Sequence, residues 1–276
     1  MNPEAELVAR AVDGDEAALA EVIHQLQDPL YRLALRMVGR PADAEDAVQE
    51  IMIRVVTRLA TWRGEAKLLT WAYRIGVNHL RNLRRQSTHE RQQVSFDDFR
   101  DDLADGLAAE DYRGPEAAVL AEEVRLSCTQ AMLQCLSRDE RIAYVLGDIF
   151  ELKAADAAWI SDVSPAAFQK RLERARQRLA TFLRSTCGLV DSKAFCRCPR
   201  RVEQAVAVGR VELGRRVFVD HPISPGGRSV IEAEAQMHKL GDAAAVLRAH
   251  PDYAAPQAKM DAISELLHSG RFPLLD

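Results

Sequence analysis

Between Pro41 and Leu83 the apolar residues recur in steps of three and four, and that periodicity restricts the segment to amphipathic helices. Val48, Ile51, Met52, Val55, Val56 and Leu59 form one stripe, and Leu69, Ala72, Gly76, Leu80 and Leu83 form a second. The pattern returns as Phe168, Leu172, Ala175, Leu179 and Phe182, near the end of a stretch that is periodic from Glu116 to Leu183. Apolar residues make up 47% of the chain but aromatics only 6%, a balance that favours helical bundles over sheets. No apolar run approaches the roughly 18 residues that span a bilayer, and no apolar leader is visible at the N-terminus. A cytoplasmic protein without a membrane contact is the expectation.

The 276 residues suffice for two small domains and an appendage. Pro3 to Gln86 reads as helical, punctuated at Asp28-Pro29, Gly39-Arg40-Pro41 and Arg63-Gly64. Over 87–115 the apolar periodicity fades, and Asp97, Asp98, Asp101, Asp102, Asp105, Glu110 and Asp111 outnumber Arg91, Arg100 and Arg113. That is the composition of a flexible acidic linker. Helical pattern resumes over 116–184, with breaks at Leu136–Glu140 and Ile160–Ser164. Residues 185–276 make a third unit, with helices expected near Arg200–Gly214, Ser229–Leu240 and Pro256–His268. The expected fold class is therefore all-α: two helical domains, 1–86 and 116–184, joined by the flexible linker and followed by a small, mainly helical C-terminal extension.

The net charge of −4 conceals local opposition. Asp43, Asp46 and Glu50 share one helix face with Gln49 beside them. Acids near a helix N-terminus are favourable by about 0.3–1 kcal/mol each, so this face reads either as a solvated helix start or as a docking face for a partner's Arg and Lys. After a loop holding Trp62 and Arg63, the next helix places Lys67, Trp71, Arg74, Asn78, Arg81 and Arg85 within a narrow sector opposite its apolar stripe. Cations neutralise phosphates, Asn can make a bidentate contact to a base edge, and an aromatic can stack on an unpaired base for about 1–3 kcal/mol. Further on, Ser164 is a good N-cap and Pro165 fits the first helical position. The helix they start carries Lys170, Arg171, Arg174 and Arg178 on a basic face with Gln169 beside it. A short helix from Ala154 to Trp159 and a turn precede it, which is helix-turn-helix geometry with a second helix that enters a major groove.

These features, in this order over roughly Gly14–Arg184, resemble the extracytoplasmic-function sigma factors of bacterial RNA polymerase. Asp43-Ala-Glu-Asp-Ala-Val-Gln-Glu50 is similar to the family's core-binding helix in region two, and the resemblance implies that Asp43, Asp46, Gln49 and Glu50 face the polymerase's largest subunit. Trp62-Arg-Gly-Glu-Ala-Lys67 resembles the loop that captures a flipped base of the minus-ten element. Thr70 to Asn82 resembles the promoter-melting helix that reads the same element, and Ser164 to Arg176 resembles the region-four recognition helix for the minus-thirty-five element. The turn carries Ser161-Asp162 where the family usually has a hydrophobe and Gly; Asp is the next most tolerant residue at a left-handed position. The resemblance implies binding rather than bond-making, with core RNA polymerase and promoter DNA as partners and an anti-sigma factor as a further candidate. It also implies that the linker threads the polymerase's cationic channel, while attraction between its acids and the basic helices keeps the free chain a weak DNA binder. No Gly-rich phosphate loop, His-Glu-x-x-His run or nucleophile–base pairing points to an enzyme. The alternative is a helix-turn-helix regulator that never touches the core polymerase, which leaves the acidic face without a task.

Five cysteines in a chain with no secretion signal suggest thiols or a metal rather than disulfides. Cys187, Cys196 and Cys198 follow the presumed recognition helix, leaving zinc (with His221 or another His as fourth ligand), a thiol redox switch and ordinary structural cysteines open. No other cofactor is expected. Cys128 and Cys135, two helical turns apart, read as core, and His238, His250 and His268 as surface or partly buried residues.

Overall fold

The structure, a computed structural model, describes residues 2–83, 94–240, 243–258 and 261. Among these the regular elements are helices. The first unit comprises α1 (Pro3–Val12), α2 (Glu16–Val38), α3 (Pro41–Val56) and α4 (Leu68–Asn82). Asp15 caps α2 by accepting from the Ala18 N–H, and Gly39 ends it in the left-handed conformation with φ 85°. The expected break at Pro29 does not occur: α2 runs straight through it. Leu26, Leu30, Leu33 and Ala34 are all buried around the proline, and this packing holds the helix together despite the lost N–H. At Gly76 an added Cβ would lie 3.2 Å from Leu33 Cδ2, so the missing side chain lets α4 settle onto α2.

After α5 (Phe96–Ala104) comes the second unit: α6 (Ala117–Leu133), α7 (Arg138–Tyr144) continuing into a π-helical turn at Val145–Ile149, α8 (Ala154–Ile160) and α9 (Pro165–Thr186). The third holds α10 (Cys198–Ala207), α11 (Val230–Leu240) and α12 (Ala243–Arg248). The expected helix at Pro256–His268 falls almost wholly outside the described residues.

The stretch expected to be a flexible linker is partly structured. Ser95 and Asp98 form a capping box for α5, and Phe99 and Leu103 are buried. The rings of Phe96 and Phe99 sit 5.1 and 5.7 Å from that of Phe182 on α9. The apolar set Phe96, Phe99, Leu103 has helical spacing, which the surrounding acids disguise in the sequence. Those acids do not seek the basic helices. Asp102 makes a two-point contact with Arg210 at 2.5 and 2.6 Å, and Asp111 lies 3.2 Å from Arg200, both in the third unit.

Buried side chains of all three units form one contiguous core, with a smaller cluster of Leu120, Val124, Val202, Ala205 and Val211 fastening α10 to α6. Between the first two units the wholly buried Gln130 accepts from Arg36 at 2.9 Å and donates to the Leu35 carbonyl at 3.1 Å. The third unit grips both others at once. On α6, the Glu123 carboxylate accepts from the backbone N–H groups of Val217, Phe218 and Val219 at 2.9–3.0 Å. On α2, Asp28 accepts from Ser224 Oγ and the Ala255 N–H, and the rings of Tyr31 and His221 stack 5.0 Å apart. His250, expected at the surface or partly buried, is instead 1% exposed, with Nε2 2.6 Å from Thr129 Oγ1. It lies between Ala249 and Tyr253, which join the common core, and so is carried inward with them. No helix among the described residues is long and apolar enough to cross a membrane.

Candidate nucleic-acid interface

On α3, burial of Val48, Ile51, Met52 and Val55 turns the acidic edge outward. Asp46 and Glu50 are exposed and Asp43 and Gln49 half-buried, with Arg54 3.7 Å from Glu50. A single turn at Leu59–Thr61 then leads into the loop before α4. Arg63 and Lys67 are exposed there, but Trp62 is 9% exposed and its indole N–H donates to the Ala66 carbonyl at 3.1 Å. Trp62 therefore closes the loop from inside in this structure.

The sector expected to face solvent on α4 is only partly open. Asn78 is exposed, whereas Trp71 is half-buried against the core. Arg74 donates to the Trp159 carbonyl at 3.0 Å and to Asp162 Oδ1 at 2.7 Å, and its guanidinium lies 4.6 Å above the Trp159 ring. Arg81 donates to the Ser161 carbonyl at 2.8 Å and approaches Asp139 at 3.4 Å. Both arginines thus point into the helix-turn-helix turn, because α4 packs across α8. Arg85 lies outside the described residues.

In the second unit, α8, a turn and α9 form the expected helix-turn-helix. Ser164 Oγ caps α9 by accepting from the Ala167 N–H at 3.2 Å, with Pro165 in the first position. Asp162 sits in the turn at φ 54°, the left-handed conformation foreseen for it. Ser164, Pro165, Gln169 and Lys170 are exposed. Farther along, Arg171 pairs with Asp139 at 3.1 Å, while Arg174 and Arg178 converge on Glu140 at 3.7 and 2.7 Å. Burial pushes the Glu140 carboxyl up, but its bonds to Ser137 and the nearby Arg178 outweigh this and hold it below the usual carboxylate range. The sequence reading did not single out Arg176, which grips the buried Asp148 with both Nε and Nη2 and ties α9 to the π turn. A lone acid inside the apolar run Val145–Phe150 was the available signal.

Cys128 and Cys135, expected in the core, both pack into it. Cys135 is buried, but Cys128 lines a cavity of about 460 Å³ together with Cys187, Cys196 and Cys198, between α6, the end of α9 and the start of α10. Cys187 and Cys196 lie side by side: the Cys196 N–H donates to Thr186 O and Cys196 O accepts from the Gly188 N–H. His221, the suggested fourth ligand, stands elsewhere, on Tyr31. No group of three His, Cys, Asp or Glu among the described residues is arranged to hold a metal ion. Burial and the neighbouring thiols push Cys196 up to about 11 and Cys198 to about 12. Since the thiolate is the nucleophile, native protein at pH 8 should alkylate with iodoacetamide far more slowly than unfolded protein, in which all five thiols react. Rapid native labelling of the cavity thiols, read by mass spectrometry, would contradict this burial.

Comparison with known proteins agrees with this geometry. Sigma-70 region 2 matches residues 22–90, spanning most of α2 and all of α3 and α4, and Sigma-70 region 4 matches 126–179, which includes the helix-turn-helix. The chain thus carries both sigma-70 regions, in the order found in the extracytoplasmic-function sigma factors to which it is similar. It is 28% identical over 176 residues to the RNA polymerase sigma-H factor of Pseudomonas aeruginosa, covering 63% of this chain and 90% of that protein. It is 29% identical over 178 residues to the ECF RNA polymerase sigma-E factor of Escherichia coli K12, with the same coverage. The solved structure of CnrH in complex with the cytosolic domain of CnrY is similar over 65% of this chain and 96% of that one, at 22% identity and a TM-score of 0.47.

Proposed function

We infer that the chain is the promoter-specificity subunit of RNA polymerase, docking on the core enzyme through the acidic edge of α3 and reading two promoter elements with α4 and α9. The observation that carries this reading is the joint match of region 2 and region 4 in one chain, with the acidic edge of α3 presented outward. Asp43, Asp46, Gln49 and Glu50 supply the docking face. Arg63, Lys67 and Asn78 are the exposed polar groups of the minus-ten surface, and Arg74 and Arg81 join them once α4 is freed. Trp71 and Arg85 complete the proposed set, with Trp62 shaping the loop. Ser164, Pro165, Gln169 and Lys170 lead the major-groove surface, followed by Arg171, Arg174 and Arg178.

The chemistry is recognition and strand opening. Extruding a base costs a few kcal/mol of stacking, which a receiving pocket offsets. The cations of α4 hold the flanking phosphates meanwhile. This role calls for no resident cofactor and places the protein in the cytoplasm with its polymerase. A separate anti-sigma factor is proposed as a partner as well, and the extension at 185–276 as a regulatory element.

Purified full-length chain added to core polymerase should yield specific run-off transcripts. The double variant Asp46→Lys/Glu50→Lys should weaken holoenzyme formation by about tenfold or more, since like-charge contact at a charged interface is strongly penalised. Specific binding to duplex promoter DNA without polymerase, together with intact assembly of the double variant, would instead favour the polymerase-independent regulator.

A further inference from the structure

We propose that Cys187 and Cys196 form a two-thiolate site for one soft monovalent metal ion of the Cu(I) or Ag(I) class, at the joint between α9 and the C-terminal unit. The site stands apart from the promoter-reading roles of α4 and α9 and does not depend on them.

The backbone sets the pair. α9 ends at Thr186, and the chain turns back so that Cys196 lies parallel beside Cys187. The Cys196 N–H donates to the Thr186 carbonyl at 3.1 Å and the Gly188 N–H to the Cys196 carbonyl at 3.0 Å, which fixes the two cysteines as neighbours. Residues paired in this way sit about 4.7–4.9 Å apart. A disulfide needs a closer approach, with Cβ atoms about 3.5–4.5 Å apart. A linear sulfur–metal–sulfur bridge fits instead, since two bonds of about 2.3 Å span about 4.6 Å.

The surroundings suit such an ion. Both cysteines line the cavity described above, together with Cys128, Cys198 and Met132. Thiolate and thioether sulfur favour soft cations over hard ones. The Leu189 and Val190 N–H groups donate to the Cys187 sulfur, which favours its thiolate. Binding exchanges two thiol protons, released to solvent, for one cation; no electron moves, and the product carries one negative charge. Arg197 and Arg201 face that charge, both acting on the Cys196 thiol. Arg197 is held in place by the Ala194 and Cys196 carbonyls at 2.6 and 3.0 Å, and an added Cβ at Gly188 would strike it. Arg201 is 3% exposed and donates to the Asp105 carbonyl at 2.5 Å. Among the described residues no group of three ligands is set around one point, so the four-ligand cage of structural zinc is not built here. The ion would tie the end of α9 to the start of α10.

The full chain, reduced and kept free of oxygen, should take up one equivalent of Cu(I) in competition with the chromophoric chelator bathocuproine disulfonate. Cys187→Ser and Cys196→Ser, both nearly isosteric, should each weaken uptake by at least about tenfold, since losing even the outer contacts of metal ligands costs about 10–100-fold in affinity. Cys135→Ser, outside the cavity, should keep it. Copper-edge X-ray absorption should show two sulfur neighbours. One equivalent of Ag(I) should raise the melting temperature of the unaltered chain but not that of folded Cys187→Ser. No uptake by the unaltered chain, undiminished uptake by the two variants, or a shell of three or four sulfurs that also requires Cys128 and Cys198 would overturn the assignment.

Discussion

Replacing Glu123 by alanine is expected to lower the unfolding free energy by about 3–5 kcal/mol. Glu123 is 2% exposed, and its two carboxylate oxygens satisfy three consecutive backbone N–H groups, those of Val217, Phe218 and Val219. Alanine removes the acceptor from the buried Phe218 N–H and the part-buried N–H groups of Val217 and Val219, each costing up to about 1–3 kcal/mol if nothing replaces it, with some of that recovered by entering water. The variant should also release the chain that follows α10, so limited proteolysis near Val208–Val217 should accelerate before global unfolding does. Glu123→Gln, which keeps one acceptor oxygen, should fall between. A denaturation midpoint for Glu123→Ala within error of the parent would refute this assignment.

Acidification should destabilise the protein well above the carboxylate range, and His250 is the main reason. It is buried against Thr129, with Arg36 of α2, Arg125 of α6 and Arg228 nearby; burial first, and then those cations, press its protonation well below the ordinary value of 6.5. The sign follows from proton counts. Below 6.5 the unfolded chain takes up a proton at this histidine and the folded chain does not, so stability is fully present above that pH and is lost as pH falls through the window below it. One histidine contributes a slope of up to about 1.4 kcal/mol per pH unit. His79 and His221 are also pushed down by burial and act in the same direction. Urea denaturation at pH 7.5 and 5.5 should show the difference, and His250→Asn should shrink it even though it loses stability at pH 7.5. A variant with the parent's pH slope would show that protonation occurs elsewhere.

The helices, their order and the acidic and basic faces were legible because each rests on local rules: three-and-four spacing, a Ser-Pro start at Ser164, a left-handed residue at Asp162. What the sequence hid was relational. The outward sector of α4 is correct as a helical wheel, but nothing local indicates that α8 packs over it and takes Arg74 and Arg81. Trp62 offered an aromatic in a basic loop, and the indole's bond to Ala66, four residues on, decided that it faces inward. The acids of 96–111 masked the Phe96, Phe99, Leu103 spacing, and the arginine partners of Asp102 and Asp111 lie about a hundred residues away. Cys128 likewise joins the other three thiols only through tertiary packing of α6 against the end of α9 and the start of α10.

The single interior shared by all three units has a thermodynamic consequence. Heating should melt the molecule in one calorimetric transition rather than one per module, because the buried side chains of the three units join in one contiguous core. Any separation of the units on joining the polymerase would then wet part of that interior while another apolar surface dries. The heat-capacity change of association should accordingly be less negative than the area of the final subunit contact alone would give.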